Sequence, residues 1–251
     1  MIINADDFGY SESVNRAVTD CFNRGLINQT TIMVNMPCAE DAARLAKENG
    51  FFDAVGLHLN FTEGKALSSL CAGSLLCDGN GFFKGVFHIP IKSRLWLNRE
   101  IQKAVHAEAE AQIKKYLDMG FSLMHVDSHN YTHTYFSVYR CIGRLLKKYR
   151  FCTVRISRNI PKGDFTLPFR IYKSFFNFLL RHDGINGKSI AATRYFGSVQ
   201  DLLRQKNPEK YIGEMEFMTH PDYIDGKLID NTLPVPHPFS DIRACLYSSD
   251  R

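Results

Sequence analysis

The sequence predicts an α/β fold in which parallel strands close into a distorted (β/α) barrel, and three observations predict it. Short apolar runs alternate with amphipathic segments along the chain. The length of 251 residues is enough for one large core. Acids and imidazoles recur where the apolar runs end, and a parallel barrel gathers its C-terminal strand ends on one face. Alternation alone also fits a doubly wound sheet; the placement of the polar residues favours the barrel.

The elements follow in order. Residues 1–5 are a short apolar strand, followed by a helix from Ser11 or Ser13 to Arg24, with a serine cap and Gly25 past its end. Thr30 to Asn35 is β-branched and reads as a strand, and Cys38 to Asn49 as a helix closing at Gly50. Ala54 to Leu59 is the next strand. Residues 61–93 are rich in Gly, Ser and Phe and read as a long loop or small hairpin inserted in a single domain spanning 1–251. Arg99 to Met119 is a charged amphipathic helix, Ser122 to Val126 a strand, Tyr135 to Tyr149 a helix and Cys152 to Ile156 a strand. A Phe-rich helix near 168–181, strands at Thr193 to Phe196 and Glu214 to Met218, and a closing helix at Ser240 to Ser248 complete the series.

Composition narrows the function classes. Hydrophobic residues make up 45% and charged residues 23%, as in an ordinary globular chain. No apolar run approaches the roughly 18 residues a bilayer requires, so no membrane partner is expected. The opening Met1-Ile2-Ile3-Asn4-Ala5-Asp6 has no basic stretch and no cleavage pattern, so no secretory signal is expected. Seven scattered cysteines, at 21, 38, 71, 77, 141, 152 and 245, suit neither a disulfide framework nor a zinc ribbon and read as reduced thiols of a cytoplasmic protein. A net charge of +5 without a recognisable module does not point to nucleic acid. A homodimer is compatible with the sequence, because symmetric dimers are the commonest oligomer.

The chemistry is concentrated at the predicted strand ends. Asp6 and Asp7 are adjacent carboxylates that a loop just past a strand can turn into one site, although such a pair also serves as a turn or helix cap. His58 sits between Leu57 and Leu59, where a histidine can equally be a core residue. The segment from His125 to His133 carries histidines at 125, 129 and 133, together with Asp127. Two imidazoles and a carboxylate can hold a divalent ion and leave positions open for Lewis-acid hydrolysis. Ligand type alone does not choose the metal. His220, in Met218-Thr219-His220-Pro221, is a candidate general acid or a plain turn histidine. Arg155, inside an apolar run, is expensive to bury unless paired, and Asp6 is a natural partner.

Three segments carry a resemblance to a known family. Asn4-Ala5-Asp6-Asp7-Phe8-Gly9, Gly56-Leu57-His58-Leu59-Asn60 with Thr62-Glu63-Gly64-Lys65 behind it, and His125 to His133 together resemble the YdjC-like carbohydrate deacetylases. The match runs from residue 2 to the Met-Thr-His-Pro segment at 218–221. The resemblance implies a TIM-like barrel related in chemistry to the polysaccharide deacetylases, one divalent ion (magnesium or zinc), and removal of the N-acetyl group from a small acetylated sugar. It further implies that Asp7, His58 and His129 hold the metal, that Asp6 is the base activating water, and that His220 is the general acid. Arg155, Asp127, His133 and Tyr131 are implied as substrate contacts or supports of the site. Two departures stand out: Tyr131 occupies a position that is commonly histidine in the family, and Asp222 one that is commonly glycine. A metal-dependent phosphoesterase and a sugar-binding or regulatory protein that has kept the fold are the alternatives.

Overall fold

Local signals decide where most elements begin and end. The computed structural model describes residues 1–85, 94–160, 166–182, 189–198, 200–201, 204–205, 207, 210–211, 213–231 and 237–239. The strands are β1 (Ile2–Phe8), β2 (Gln29–Ile32), β3 (Val55–Leu59), β4 (His125–Ser128), β5 (Thr153–Val154), β6 (Tyr195–Ser198), β7 (Met215–Thr219), β8 (Pro221–Ile224), β9 (Lys227–Asp230) and β10 (His237–Pro238). The helices are α1 (Glu12–Asn23), α2 (Ala39–Glu48), α3 (Ser69–Ala72), α4 (Arg99–Asp118), α5 (Phe136–Lys148) and α6 (Leu167–His182). Ser11 caps α1 by accepting from the Val14 NH, and Asn98 caps α4 by accepting from the Ile101 NH. Gly25 and Gly50, at φ of 63° and 74°, turn the chain out of α1 and α2 in the left-handed conformation that ends helices.

Seven strands, all parallel, lie in the order β5-β4-β3-β2-β1-β7-β6. The sheet curls until its edges approach each other. Val154 of β5 pairs in parallel with Ala191, just ahead of β6. Beyond β5 the Asn159 NH donates to Phe196 O (3.2 Å), and the Phe196 NH donates back to Asn159 Oδ1 (2.9 Å). The result is a distorted TIM-like α/β fold. Ile3, Ala5, Val55, Leu57 and Val126 of the strands share one apolar cluster with Val18 of α1, Ala46 of α2, Ile113 of α4 and Leu146 of α5. Alternate strand residues face the other way, and several are polar: Asn4, Asp6, Thr31, His58, His125, Asp127 and Glu216 are all buried.

That polar interior explains where the expected strand boundaries moved. The strand anticipated at Ser122 to Val126 lies at His125–Ser128, because its inward positions are His125 and Asp127 rather than apolar residues. β2 ends at Ile32 instead of Asn35, as the Met36 NH donates to Met33 O in a turn. β5 is reduced to two residues and β6 begins at Tyr195. Ser13 is not a cap; its hydroxyl donates to Asp222 Oδ1 (2.6 Å), tying α1 to β8. The antiparallel sheet β10-β9-β8 has no counterpart in the sequence reading. In the inserted segment, the isolated bridges Lys65↔Phe82 and Cys77↔Phe83 form a small hairpin around α3. Cys245 and the expected helix at 240–248 lie outside the described residues.

Glu108 of α4 pins that hairpin. It is fully buried and accepts from the backbone NH groups of Leu67 (3.1 Å) and Ser68 (2.8 Å) and from Gln112 Nε2 (2.8 Å). Glu108→Leu is expected to lower the unfolding free energy by about 2 kcal/mol, because the two NH groups lose their acceptor. A denaturant midpoint equal to that of the unmodified chain would show that the anchor contributes nothing.

Candidate active site

A bulge in β1 builds the centre of the site. Ala5 pairs with Thr30 but Phe8 pairs with Ile32, so three steps on β1 face two on β2. Asp7 takes up the extra residue in the left-handed conformation, with φ of 66°. In a regular strand adjacent side chains diverge; here the bulge brings both carboxylates to the inner side of the strand ends. Asp6 is 3% exposed, while the Asp7 side chain keeps 17% of its surface at the mouth.

Asp7, His58 and His129 meet there. Asp7 Oδ1 is 3.1 Å from His58 Nε2 and 2.8 Å from His129 Nδ1. Each ring is held from behind by a second carboxylate. His58 Nδ1 donates to Asp127 Oδ1 (2.7 Å), and Thr31 Oγ1 donates to Asp127 Oδ2 (3.0 Å). His129 Nε2 lies 3.2 Å from Glu63 Oε1. Carboxylates that orient the far nitrogen of a ligating histidine are the usual supports of metal sites. The donor set of two imidazoles and one carboxylate, with all three donor atoms within 4.8 Å of one another, fits a divalent cation. Without one, the rings are strong bases. Burial opposes charge on His58, but Asp127 and Asp7 raise its pKa to about 10. Burial likewise opposes charge on His129, but Asp7 and Glu63 raise it to about 9. Burial works against ionisation of Asp7 as well, yet the hydrogen bonds from His129 and His58 hold it well below the usual carboxylate range.

Arg155 lies inside the barrel, next to this cluster, with no exposed surface. Its NH1 and NH2 groups donate to Asp6 Oδ2 (2.6 Å) and Oδ1 (2.7 Å), a bidentate pair. NH2 is also 2.7 Å from Asp127 Oδ2, and Nε donates to Glu216 Oε1 (2.5 Å). Asp6 therefore has a fixed orientation, reinforced by Asn4 Nδ2 donating to its Oδ1 (2.7 Å). His133 touches no donor atom of the Asp7 cluster. Its Nε2 donates to the Arg155 carbonyl (2.9 Å) and its Nδ1 accepts from Ser128 Oγ (2.6 Å), which fixes the backbone that carries the guanidinium.

The remaining candidates line the mouth. Asn130 and Tyr131 follow His129 with φ of 54° and 55°, a strained pair inside a 3-10 segment. The Tyr131 hydroxyl accepts from Arg158 NH2 (3.1 Å) and donates to Met218 Sδ (2.9 Å), so the ring is fixed. Both residues border a cavity of about 230 Å³ lined also by Arg94, Arg158, Phe169 and Lys173. His220 follows β7 directly. The parallel pairing Ala5↔Thr219 brings it level with Asp6 in the register, and its NH donates to Asp230 Oδ1 (2.8 Å). It belongs to none of the carboxylate–imidazole clusters among the described residues. Asp222 is absorbed into β8, where it accepts from Ser13 and from the Tyr223 NH.

Two residues of this site escaped the sequence reading. Glu63 lies within the Thr62-Glu63-Gly64-Lys65 segment, but nothing in the sequence connects it to His129. Glu216 is a charged residue in an apolar strand, the same signal that singled out Arg155, and it is fully buried.

These features define an α/β barrel protein with a candidate divalent-cation centre at the carboxyl ends of its strands. The chain belongs to the YdjC-like protein family, whose profile matches residues 1–243. It is 29% identical over 237 residues to the carbohydrate deacetylase of Thermoanaerobacter pseudethanolicus, covering 92% of this chain and 84% of that one. It is 31% identical over 230 residues to the carbohydrate deacetylase of Vibrio parahaemolyticus, covering 91% and 80%. A crystal structure from Enterococcus faecalis V583, named for cellobiose-phosphate cleavage, superposes with a TM-score of 0.66 at 22% identity, covering 89% of this chain and 81% of that one. The last likeness concerns the fold.

The geometry makes two predictions. Arg155→Met removes the guanidinium shared by three buried carboxyl groups and is expected to cost about 3–5 kcal/mol in denaturant unfolding at neutral pH; a loss below about 1 kcal/mol would contradict this account of the pairing. Because the His58 and His129 rings stay protonated up to about pH 10 and 9, binding of a divalent ion is expected to release about two protons at neutral pH and to tighten as pH rises. Calorimetric titration in buffers of different ionisation enthalpy counts them. A count near zero would place the ion elsewhere.

Proposed function

We propose that this chain is a metal-dependent carbohydrate deacetylase that hydrolyses the N-acetyl group of an amino sugar or short oligosaccharide. The observation that carries the reading is the placement of Asp6, clamped by Arg155 and adjacent in sequence to Asp7 of the histidine cluster. Its relatives named carbohydrate deacetylases support it.

Asp7, His58 and His129 would hold the ion, for which magnesium or zinc is the proposed identity. When bound, it supplies a Lewis acid for the acetamide carbonyl and stabilises the developing oxyanion. Asp6 takes a proton from the attacking water as the C–O bond forms. Arg155 fixes the direction of that carboxylate and compensates its charge. Asp127 and Glu63 keep the His58 and His129 rings turned toward Asp7. As the C–N bond breaks, His220 gives its proton to the departing sugar nitrogen, and the products are acetate and a free amine. The sugar itself is assigned to the mouth, with the neighbouring cavity offering Tyr131 and Phe169 as ring-stacking faces. The six described cysteines are free thiols, which supports a reducing, cytoplasmic setting.

A two-cation phosphoesterase is less well supported. The other carboxylate–imidazole groupings draw on Asp6, Asp127 and Glu216, and all three already bind the guanidinium of Arg155.

Incubation with N-acetylglucosamine oligomers and related acetamido sugars, with several divalent metals and a chelator control, is expected to release acetate only with metal. No acetate from any of them with a folded, metal-loaded chain would overturn the reading. Asp6→Asn is expected to lower kcat by about 10²–10⁴-fold while metal content is retained. Near-normal turnover in that variant would remove Asp6 as the base.

A further inference from the structure

Three polar atoms on buried, inward-facing strand residues have no hydrogen-bond partner among the described residues: Asn4 Oδ1, His125 Nε2 and Glu216 Oε2. Their residues are at most 1% exposed. The His125 ring lies over Gly56 of β3, where an added Cβ would meet His125 Cδ2 at 3.2 Å and Thr31 Cγ2 at 3.1 Å. One nitrogen of His125 and one carboxylate oxygen each of Asp127 and Glu216 fall within 4.8 Å of one another. One water making two hydrogen bonds of about 2.8 Å closes such a span.

Charge decides what this place holds. Arg155 brings one positive charge to Asp6, Asp127 and Glu216. Three ionised carboxylates outnumber it, and even with the His58 ring charged against Asp127 they leave net negative charge sealed from water, a state that proteins avoid by taking up a proton or a cation. A cation is disfavoured, because Asp127 Oδ2 and Glu216 Oε1 already lie 2.7 and 2.5 Å from the guanidinium and an ion would be set against it. A proton meets no such repulsion. Glu216 Oε1 accepts from Arg155 Nε, so Oε2 is the oxygen free to carry a proton. His125 Nδ1 lies 3.1 Å from Thr153 Oγ1, and its Nε2 faces no donor among the described residues. One orphan is a free donor position and the other a free acceptor.

We propose that Glu216 is held as the neutral acid, its Oε2 proton passed through one buried water to His125 Nε2, and that it is a positioning residue for Asp6. By carrying the proton that the cluster requires, Glu216 leaves Asp6 a carboxylate. The link to Asp6 rests on the deacetylase reading; the hydrated acid pair does not.

The groups facing Glu216 are Arg155 beyond β5, Asp127 and His125 on β4, and Asp6 on β1. Burial pushes Glu216 up to about 7 against the pull of Arg155, with Asp127 and Asp6 adding to the rise. Burial lowers His125 to about 4, so its ring is neutral. The folded chain therefore keeps a Glu216 proton that the unfolded chain has already lost. The stability this contributes is complete at pH below the ordinary glutamic acid range and is lost as pH rises through about 7. Glutamine keeps the shape of the neutral acid and cannot ionise.

Thermal unfolding of the full metal-loaded chain between pH 5 and 9 tests this. The Tm of Glu216→Gln minus that of the unmodified chain is expected to grow by about 5 °C or more between pH 5 and 8, then level off. A difference independent of pH overturns the proposal. Infrared titration of the unmodified chain needs no variant to fold. A neutral-acid carbonyl band is expected to fade with a midpoint near pH 7, and its absence at pH 6 overturns the proposal. His125→Leu, which removes the acceptor, is expected to move that midpoint down; an unmoved midpoint rules out the relay. None of these readouts depends on turnover, so they remain informative whether or not acetate is released.

Discussion

The structure depends on one guanidinium placed where water cannot reach it. Arg155 makes close contacts with Asp6, Asp127 and Glu216, carboxylates from strands on opposite sides of the ring, and its own backbone stands at the end of β5. Removing the guanidinium would leave carboxylate charge that the interior cannot solvate. The barrel interior is thus organised electrostatically, whereas the layer between strands and helices is organised by apolar packing. Phe196 adds to this by presenting its ring face to the guanidinium, 4.8 Å from centroid to Cζ.

From Arg155 the order spreads upward to the mouth. Asp127 binds Arg155 through one oxygen and His58 through the other, so the orientation of a candidate metal ligand is tied to the buried ion cluster. His133 holds the Arg155 carbonyl, and its own segment carries His129, Asn130 and Tyr131 through the turn above β4. The left-handed backbone angles at Asp7, Asn130 and Tyr131 are costly for non-glycine residues. They occur where the candidate ligands must be aimed, and the hydrogen bonds beneath them hold them in place.

Much of this was legible in the sequence because chemistry and periodicity agreed. The alternation of short strands with helices, α1 with its serine cap and α4 with its amphipathic pattern, indicated the architecture, and Asp6, Asp7, His58 and His129 stood out as polar residues at strand ends. Arg155 was visible as a charge in an apolar run, and its pairing with Asp6 followed from the cost of burial. What stayed hidden depends on contacts between distant segments. The boundaries of β4 were displaced because the reading assumed an apolar inward face, and the interior at His125 and Asp127 is polar. Glu63 becomes meaningful only when the loop after β3 folds back over His129. Glu216 could have been read by the argument used for Arg155, and was not.

The extra residue in β1 has the character of a phase shift. Before it, Asn4 and Asp6 alternate inward while Ile3 and Ala5 join the apolar layer; after it, Phe8 is back in step with that layer beside Ile32. Two adjacent acids can then serve one site without sending either into the hydrocarbon. A single-residue deletion between Ala5 and Phe8 would restore the simple alternation and keep Phe8 beside Ile32, but leave one acid where two now stand. For this strand, length matters as much as composition: the one residue in excess of its partner is what gives the site a second acid while the apolar layer keeps its phase.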